Sequence, residues 1–438
     1  MFKSLKQLNV SLIKDTFIYT VTDVFGKAIG FILLPFVSYY MTPDELGIAT
    51  NFSVITSIVT LLAGEAMVNA IPYFYYEQTK KQNTALVSSL LLICVCSSIL
   101  IFLIISLLQN VINNYIKLDY SLQILASVTS ILMLINNSNL ILLRLENKSK
   151  QFALLQIIQI LFHCLFVIAF VIVFKLGGRG KIYSEALPTM IISIIGIIMM
   201  TKKGYLKFEF NKLYISKLFK FGLPLLPHSL SFWIKGGTDK IFITSFCGLY
   251  QNGLYSMAMT IASLYTIVRN AFFKAYVPYL QKRLSNITPE NGMREKLKIV
   301  KISYILFGIF FIVALLAVFG GWIILEYIVD EKYRESFRFV PWLIFGLYIY
   351  AIYSFSIEFI YKQKKTLVMG IITFSGSILQ MALSYLLIKN IGIMGAVYSS
   401  IIGTLIISVS IFIYSCKVYP MPWLTYITNL IYRRNVEK

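Results

Sequence analysis

Charge is what this sequence has least of. Only 13% of its 438 residues are Asp, Glu, Lys or Arg, against about a quarter in an ordinary soluble domain. Histidine is almost missing: there are two, His163 and His228. No Ser/His/Asp arrangement and no zinc-ligand spacing can be built from them, which argues against hydrolytic and metalloenzyme chemistry. The five cysteines (Cys94, Cys96, Cys164, Cys247, Cys416) lie in or at the ends of apolar blocks and fit no metal site. They read as small apolar residues. Long loops are also missing. None exceeds about 18 residues, so there is no room for an external catalytic domain or an ATPase module. No cofactor is expected, and uphill work would draw on an H⁺ or Na⁺ gradient, on consumption of substrate outside, or on a partner.

What is present is apolar length. The chain is 58% hydrophobic, with a mean hydropathy of +0.76. The apolar residues form blocks near the length that crosses a bilayer, roughly 18 residues or more. Twelve are predicted, at about 16–40, 48–73, 85–108, 121–143, 152–174, 182–200, 218–245, 253–280, 299–325, 339–361, 366–388 and 393–416. The expected fold is an all-α polytopic membrane protein. The first block follows Lys3, Lys6 and Lys14, is too long for a signal-peptide core and has no small-x-small site after it, so it is read as an uncleaved span.

The basic residues are unevenly placed. The N-terminal tail, the loops after even-numbered blocks and the C-terminal tail hold 25 of the 40 lysines and arginines, and the opposite loops fewer than a third as many. The positive-inside rule then puts both termini in the cytoplasm. The net charge of +21 is mostly this topology signal, and with no soluble domain to present it, nucleic acid is not an expected partner.

An internal repeat appears at a shift of 206 residues. Leu12 falls on Leu218, Lys14 on Lys220, Gly47 on Gly253, and Pro72-Tyr73 on Pro278-Tyr279. Six blocks per half is an even number, so the repeat is parallel. Two pseudo-symmetric six-helix lobes around a central cavity are expected, with the substrate site where the halves meet. The predicted division is a first lobe at 1–200, a cytoplasmic linker at 201–217, a second lobe at 218–416 and a cytoplasmic tail at 417–438.

Ionisable residues inside such blocks are rare and usually face a bundle interior or a wet cavity. The first block carries Asp23 and Lys27, the second Glu65, the seventh His228, Lys235, Asp239 and Lys240, the eighth Arg269 and Lys274. Asp23 and Lys27 are four residues apart and share a helix face. They read either as a self-neutralising pair or as a gate or ligand site. Lys235 and Asp239 repeat the spacing in the seventh block. Under the repeat, Glu65 falls on Ala271, and Arg269 and Lys274 fall on Ala63 and Val68, so an acid in one half is answered by bases in the other. Arg suits bidentate contact with phosphate or carboxylate. Arg269, Lys27, Lys235 and Lys274 are therefore candidate anion contacts, although Lys274 also fits a side chain snorkelling to the surface. Glu358 reads as an end-of-helix residue, and His163 as a satisfied interior one. Pro224 and Pro227 interrupt the seventh block and mark either a hinge or a plain kink. The tyrosines of "GLYIYAIYSF" (346–355) fit an interfacial belt or flat surfaces for sugar rings. "GGRGK" (177–181) lacks the spacing and context of a phosphate loop and reads as a short external loop.

Three stretches carry a resemblance. "LIKDTFIYTVTDVFGKAIGFILLPFVSYYMTPDELG" (12–47), "FGLPLLPHSLSFWIKGGTDKIFI" (221–243) and "GLYSMA" (253–258) resemble the bacterial polysaccharide transporters, the O-antigen flippase or Wzx-like family. The base after Asp239 is Lys240 here, where relatives more often have Arg. The resemblance implies the fold of the multidrug/oligosaccharidyl-lipid/polysaccharide exporters. It implies an undecaprenyl-diphosphate-linked oligosaccharide, the repeat unit of O-antigen lipopolysaccharide or a related surface polysaccharide. That lipid would be flipped from the cytoplasmic to the outer leaflet of the inner membrane by alternating access. Arg269, Lys27 and Lys235, with Lys274, would hold the diphosphate; Asp23, Glu65 and Asp239 would balance charge or couple an ion. Beyond the bilayer and the lipid-linked glycan, polysaccharide polymerase and chain-length proteins are the expected partners. Three alternatives make different demands. A cation or drug antiporter expects an acid-dominated cavity, a lipid II flippase usually has two further helices, and a glycan polymerase or ligase expects a long external loop.

Overall fold

The computed structural model describes residue 15 and residues 18–22, 24–26, 28–207, 211–288 and 292–426. These are mostly helical, with no strand among the described residues. Twelve long helices follow in order: α1 Ile18–Tyr40, α2 Pro43–Tyr75, α3 Lys80–Leu107, α4 Tyr120–Leu145, α5 Ser149–Val173, α6 Gly177–Lys202, α7 Leu226–Cys247, α8 Leu249–Ser285, α9 Gly292–Ile328, α10 Val340–Lys362, α11 Thr366–Ile391 and α12 Ile393–Val418. Ten of them are long and apolar enough to cross a membrane. The other two, α7 and α8, have the length, at 22 and 37 residues, but carry embedded charge. Large apolar side chains such as Leu161, Leu165, Leu316 and Phe319 are exposed on the helices, as lipid-facing residues are and a soluble surface seldom allows.

Local chemistry sets the helix ends. Thr42 and Glu45 form a capping box at the start of α2: the Thr42 N–H donates to Glu45 Oε2 at 2.8 Å and the Glu45 N–H donates to Thr42 Oγ1 at 3.3 Å. Pro43 occupies the first turn, where its missing N–H costs nothing. Thr79 and Gln82 repeat the box at α3. α2 does not run straight. It widens at Leu61–Glu65, where Gly64 has φ +138°, a conformation that side-chain-bearing residues rarely adopt.

Two expectations change. "GGRGK" is not a loop: it is the first turn of α6, and Gly177 and Gly178 lie directly against Glu45. A side chain there would overlap the cap of α2. And α8 begins at Leu249, four residues before the predicted start, which puts Arg269 roughly 30 Å along it.

The chain divides into two compact units. The first comprises residues 1–256 with 329–333. Its core joins α2, α3, α4 and the end of α6 through Met67, Leu86, Leu90, Leu134, Leu142 and Met200. The short helix Lys212–Gly222 adds Tyr214 and Leu218 to that core. Leu223–Leu225 is a 3₁₀ turn between this helix and α7, with Pro224 inside it and Pro227 just after it, both exposed. Tyr333 is fully buried and donates to the Met41 carbonyl at 3.1 Å.

At one crossing in this unit, backbone meets backbone. A Cβ on Gly47 would strike the Leu249 carbonyl, and a Cβ on Gly253 would strike the Pro43 carbonyl. Shifting 43 and 47 by 206 gives 249 and 253, so the repeat maps this contact onto itself.

Outside the spans, Glu146 gathers Lys203 Nζ at 2.7 Å, Lys148 Nζ at 2.8 Å and the Tyr205 hydroxyl at 2.8 Å. Burial alone would raise its carboxyl, but hydrogen bonds from Lys148, Lys203 and Tyr205 outweigh burial and hold it below the ordinary value. Burial, with the hydrogen bonds to Tyr75 and Glu146, raises the Tyr205 hydroxyl.

The second unit comprises residues 257–328 and 334–438. α10 and α11 pack on α12 through Tyr353, Ile357, Met369, Ile407 and Ile411. An aromatic cluster ties α8, α9 and α10 together, with Phe273 and Phe307 each 4.9 Å from Phe355 between ring centroids.

Candidate functional site

Each unit holds a polar centre among its described residues. The first unit has an open cavity of about 590 Å³ among α1, α2, α4, α5 and α6. Its polar lining comes from Thr22, Ser53, Thr56, Ser57, Thr129 and Thr189, from the amides Gln156 and Gln159, and from His163 and Glu185. Helical spacing puts them together: 53, 56 and 57 share a face of α2, 156, 159 and 163 a face of α5, and 185 and 189 a face of α6.

Among the described residues, the charges at this cavity are balanced. Lys181 Nζ lies 3.1 Å from Glu185 Oε1 and 3.4 Å from His163 Nε2. An ammonium only donates, so His163 Nε2 is the acceptor and Nδ1 carries the proton, donated to the Ser184 carbonyl at 2.7 Å. The Ser53 hydroxyl donates to Glu185 Oε2 at 3.4 Å. Beyond α2, a smaller cavity of about 210 Å³ is shared by Ser53, Val54 and Ser57 with Trp233, Gly236, Gly237 and Lys240 of α7. The Trp233 indole donates to Ser57 Oγ at 3.0 Å and to the Val54 carbonyl at 3.3 Å. Asp239 is 2% exposed and accepts a hydrogen bond from Tyr255. Asn51 joins α2 to its neighbours through Thr244, Asn252 and the Ile116 carbonyl.

The second unit's centre is a buried cation. Arg269 of α8 is 7% exposed. Its guanidinium carbon lies 4.6 Å from the centroid of the Tyr350 ring, and its Nη2 donates to Asn270 Oδ1 at 3.2 Å. Its Nη1 is buried with no hydrogen-bond partner among the described residues, and so is the hydroxyl of Tyr265 one turn earlier. Glu358 is buried on α10 and accepts from Gln281 Nε2 at 2.9 Å.

The sequence candidates are therefore dispersed. Asp23 and Lys27 lie outside the described residues. Lys235 and Glu65 are half-buried, Glu65 in the widened turn of α2, and Lys274 is exposed. None of the described candidates lines the 590 Å³ cavity, whose described residues were not singled out from sequence, apart from His163, read as a satisfied interior residue. The signal available for them was small polar residues recurring every three or four positions in apolar helices. Among the described residues no group of three or more His, Cys, Asp or Glu could hold a metal ion.

Two solved structures place the fold. An inward-facing multidrug resistance MATE family transporter of the MOP superfamily matches with a TM-score of 0.68 at 13% identity, over 90% of this chain and 94% of that one. The lipid II flippase MurJ, inward closed, matches with 0.68 at 15% identity, over 96% and 93%. The chain is a multi-pass membrane protein with the MATE-like fold. A family model described as polysaccharide biosynthesis protein matches residues 37–338, more than half of the sequence, and the chain belongs to that family. It is 24% identical over 280 residues to a protein of the Lsg locus of Haemophilus influenzae, covering 63% of this chain and 67% of the relative. It is 23% identical over 283 residues to an uncharacterized membrane protein of the same organism, covering 63% and 66%. The chain thus spans about two thirds of the length of these curated relatives. The resemblance to bacterial polysaccharide transporters holds.

Proposed function

We propose that this protein flips an undecaprenyl-diphosphate-linked oligosaccharide, the repeat unit of an O-antigen or related surface polysaccharide. It acts from the cytoplasmic to the outer leaflet of the bacterial inner membrane, by alternating access, with both termini in the cytoplasm. The observation that carries this reading is Arg269. A guanidinium desolvated in a membrane protein is expensive unless an anion meets it, and its unanswered Nη1 and planar fork suit a phosphate. Lys27, Lys235 and Lys274 are further contacts for the diphosphate. Asp23, Glu65 and Asp239 balance charge or carry the coupling H⁺ or Na⁺, and Pro224 and Pro227 act as a hinge. Polymerase and chain-length proteins take the product outside.

The test is a deletion strain in which undecaprenyl-linked oligosaccharide is quantified together with its exposure to an external glycosidase. Accumulation in a protected form is the expected result. Exposed accumulation would move the protein to polymerisation or ligation. A cation or drug antiporter is the second reading, favoured by the buried Asp239; absence of any accumulation would favour it.

A further inference from the structure

We propose that the 590 Å³ cavity of the first unit seats an uncharged, hydroxyl-rich sugar of the transported glycan, an inference that rests on the flippase reading above. Volume is the first consideration, since small-molecule sites run to about 300–1,000 Å³. Charge is the second. The one acid of the described lining, Glu185, is already paired with Lys181. A cation or a phosphate entering here would meet no unanswered opposite charge among the described lining residues.

Hydrogen bonding then narrows the ligand. Thr22, Thr129 and Thr189 donate their protons to the carbonyls of Ile18, Leu125 and Glu185 at 2.7, 2.7 and 2.8 Å. What they have left is oxygen lone pairs. Thr56 is 4% exposed, and its buried hydroxyl has no partner among the described residues. Gln156 makes no side-chain hydrogen bond among the described residues, and Gln159 Oε1 accepts from Asn136 at 3.2 Å. The described part of this wall asks for a ligand with many O–H donors and no net charge. An apolar guest would leave these groups without partners. Phe52, Met133 and Ile160 supply apolar surface for the C–H faces of a sugar ring.

The test uses the full-length protein in lipid nanodiscs, probed by saturation-transfer NMR with free glucose, galactose, N-acetylglucosamine and N-acetylgalactosamine, and with glucuronate and inorganic pyrophosphate as charged controls. At least one neutral sugar is expected to bind. Thr56→Leu and Gln156→Leu, on different helices, are each expected to weaken it by about fivefold, the scale of one lost hydrogen bond. Glu146→Gln, outside the spans, is expected to leave it unchanged. Absence of any neutral-sugar signal, preference for a charged control, or binding indifferent to both cavity variants would overturn the proposal. A short-chain polyprenyl diphosphate, measured in parallel, separates the two readings. If it binds wild type and is lost in Arg269→Ala while sugars fail, the sugar seat falls and the flippase stands. If sugars bind and the diphosphate does not, the flippase reading falls instead.

Discussion

The polar centres of the two units follow opposite rules. In the first, Lys181 is answered by Glu185 and His163, and the other polar groups of the described wall are hydroxyls and amides. In the second, a full positive charge is buried on one amide oxygen and one aromatic face. Yet the sequence repeat runs through both halves, and its glycine contact maps onto itself. Helix crossings tolerate little change in volume, since backbones there already touch. Wall residues are free to diverge, because altering them moves no helix. A repeat therefore keeps its packing and parts company in its chemistry.

The sharpest way to break this contrast is at Arg269. Arg269→Ala is expected to abolish surface glycan at a normal protein level, a loss of about 30-fold or more in flipping if a desolvated phosphate pair is removed. Arg269→Lys keeps the charge and loses the fork, so it should recover little. Normal surface glycan in the alanine variant would sink the assignment. Next comes the shared packing. Gly47→Leu and Gly253→Leu should each destabilise by about 3 kcal/mol or more, read as a lower melting temperature of the purified protein. If only one of the two does so, the crossing is not symmetric in energy. A smaller effect is expected at the aromatic face. Tyr350→Leu should weaken diphosphate binding by about 0.5–2 kcal/mol while Tyr350→Phe stays close to wild type; equal losses would mean that the hydroxyl matters and the ring does not.

The smallest effect concerns pH and the first unit alone. Because the folded state depresses the Glu146 carboxyl, its stabilisation is full above the unfolded value of about 4.3 and fades as pH falls through the lower folded value. Glu146→Gln should cost about 1 kcal/mol at neutral pH and flatten the acid limb of the melting curve, leaving glycan export unchanged.

Much of the fold was legible because hydrocarbon leaves few options: long apolar blocks must be helices. Legibility failed where chemistry intruded. α7 carries Lys235, Asp239 and Lys240, so its composition alone does not make it a span. "GGRGK" reads as a turn because glycine usually marks one, whereas Gly177 and Gly178 serve a close approach to Glu45. Arg269 could be singled out from sequence because a buried charge is conspicuous among apolar residues. The cavity could not. Three of its four threonines, Thr22, Thr129 and Thr189, have a local use, donating to the carbonyl one turn back, and only the fold brings five such helices around one space.

The glycine crossing has a consequence for the repeat itself. A contact in which residue 47 touches 249 and residue 253 touches 43 has the reciprocity of a two-fold interface, where one patch meets its own copy. A single glycine, used once in each copy of the repeat, makes both halves of the contact, and each copy is bound to keep it.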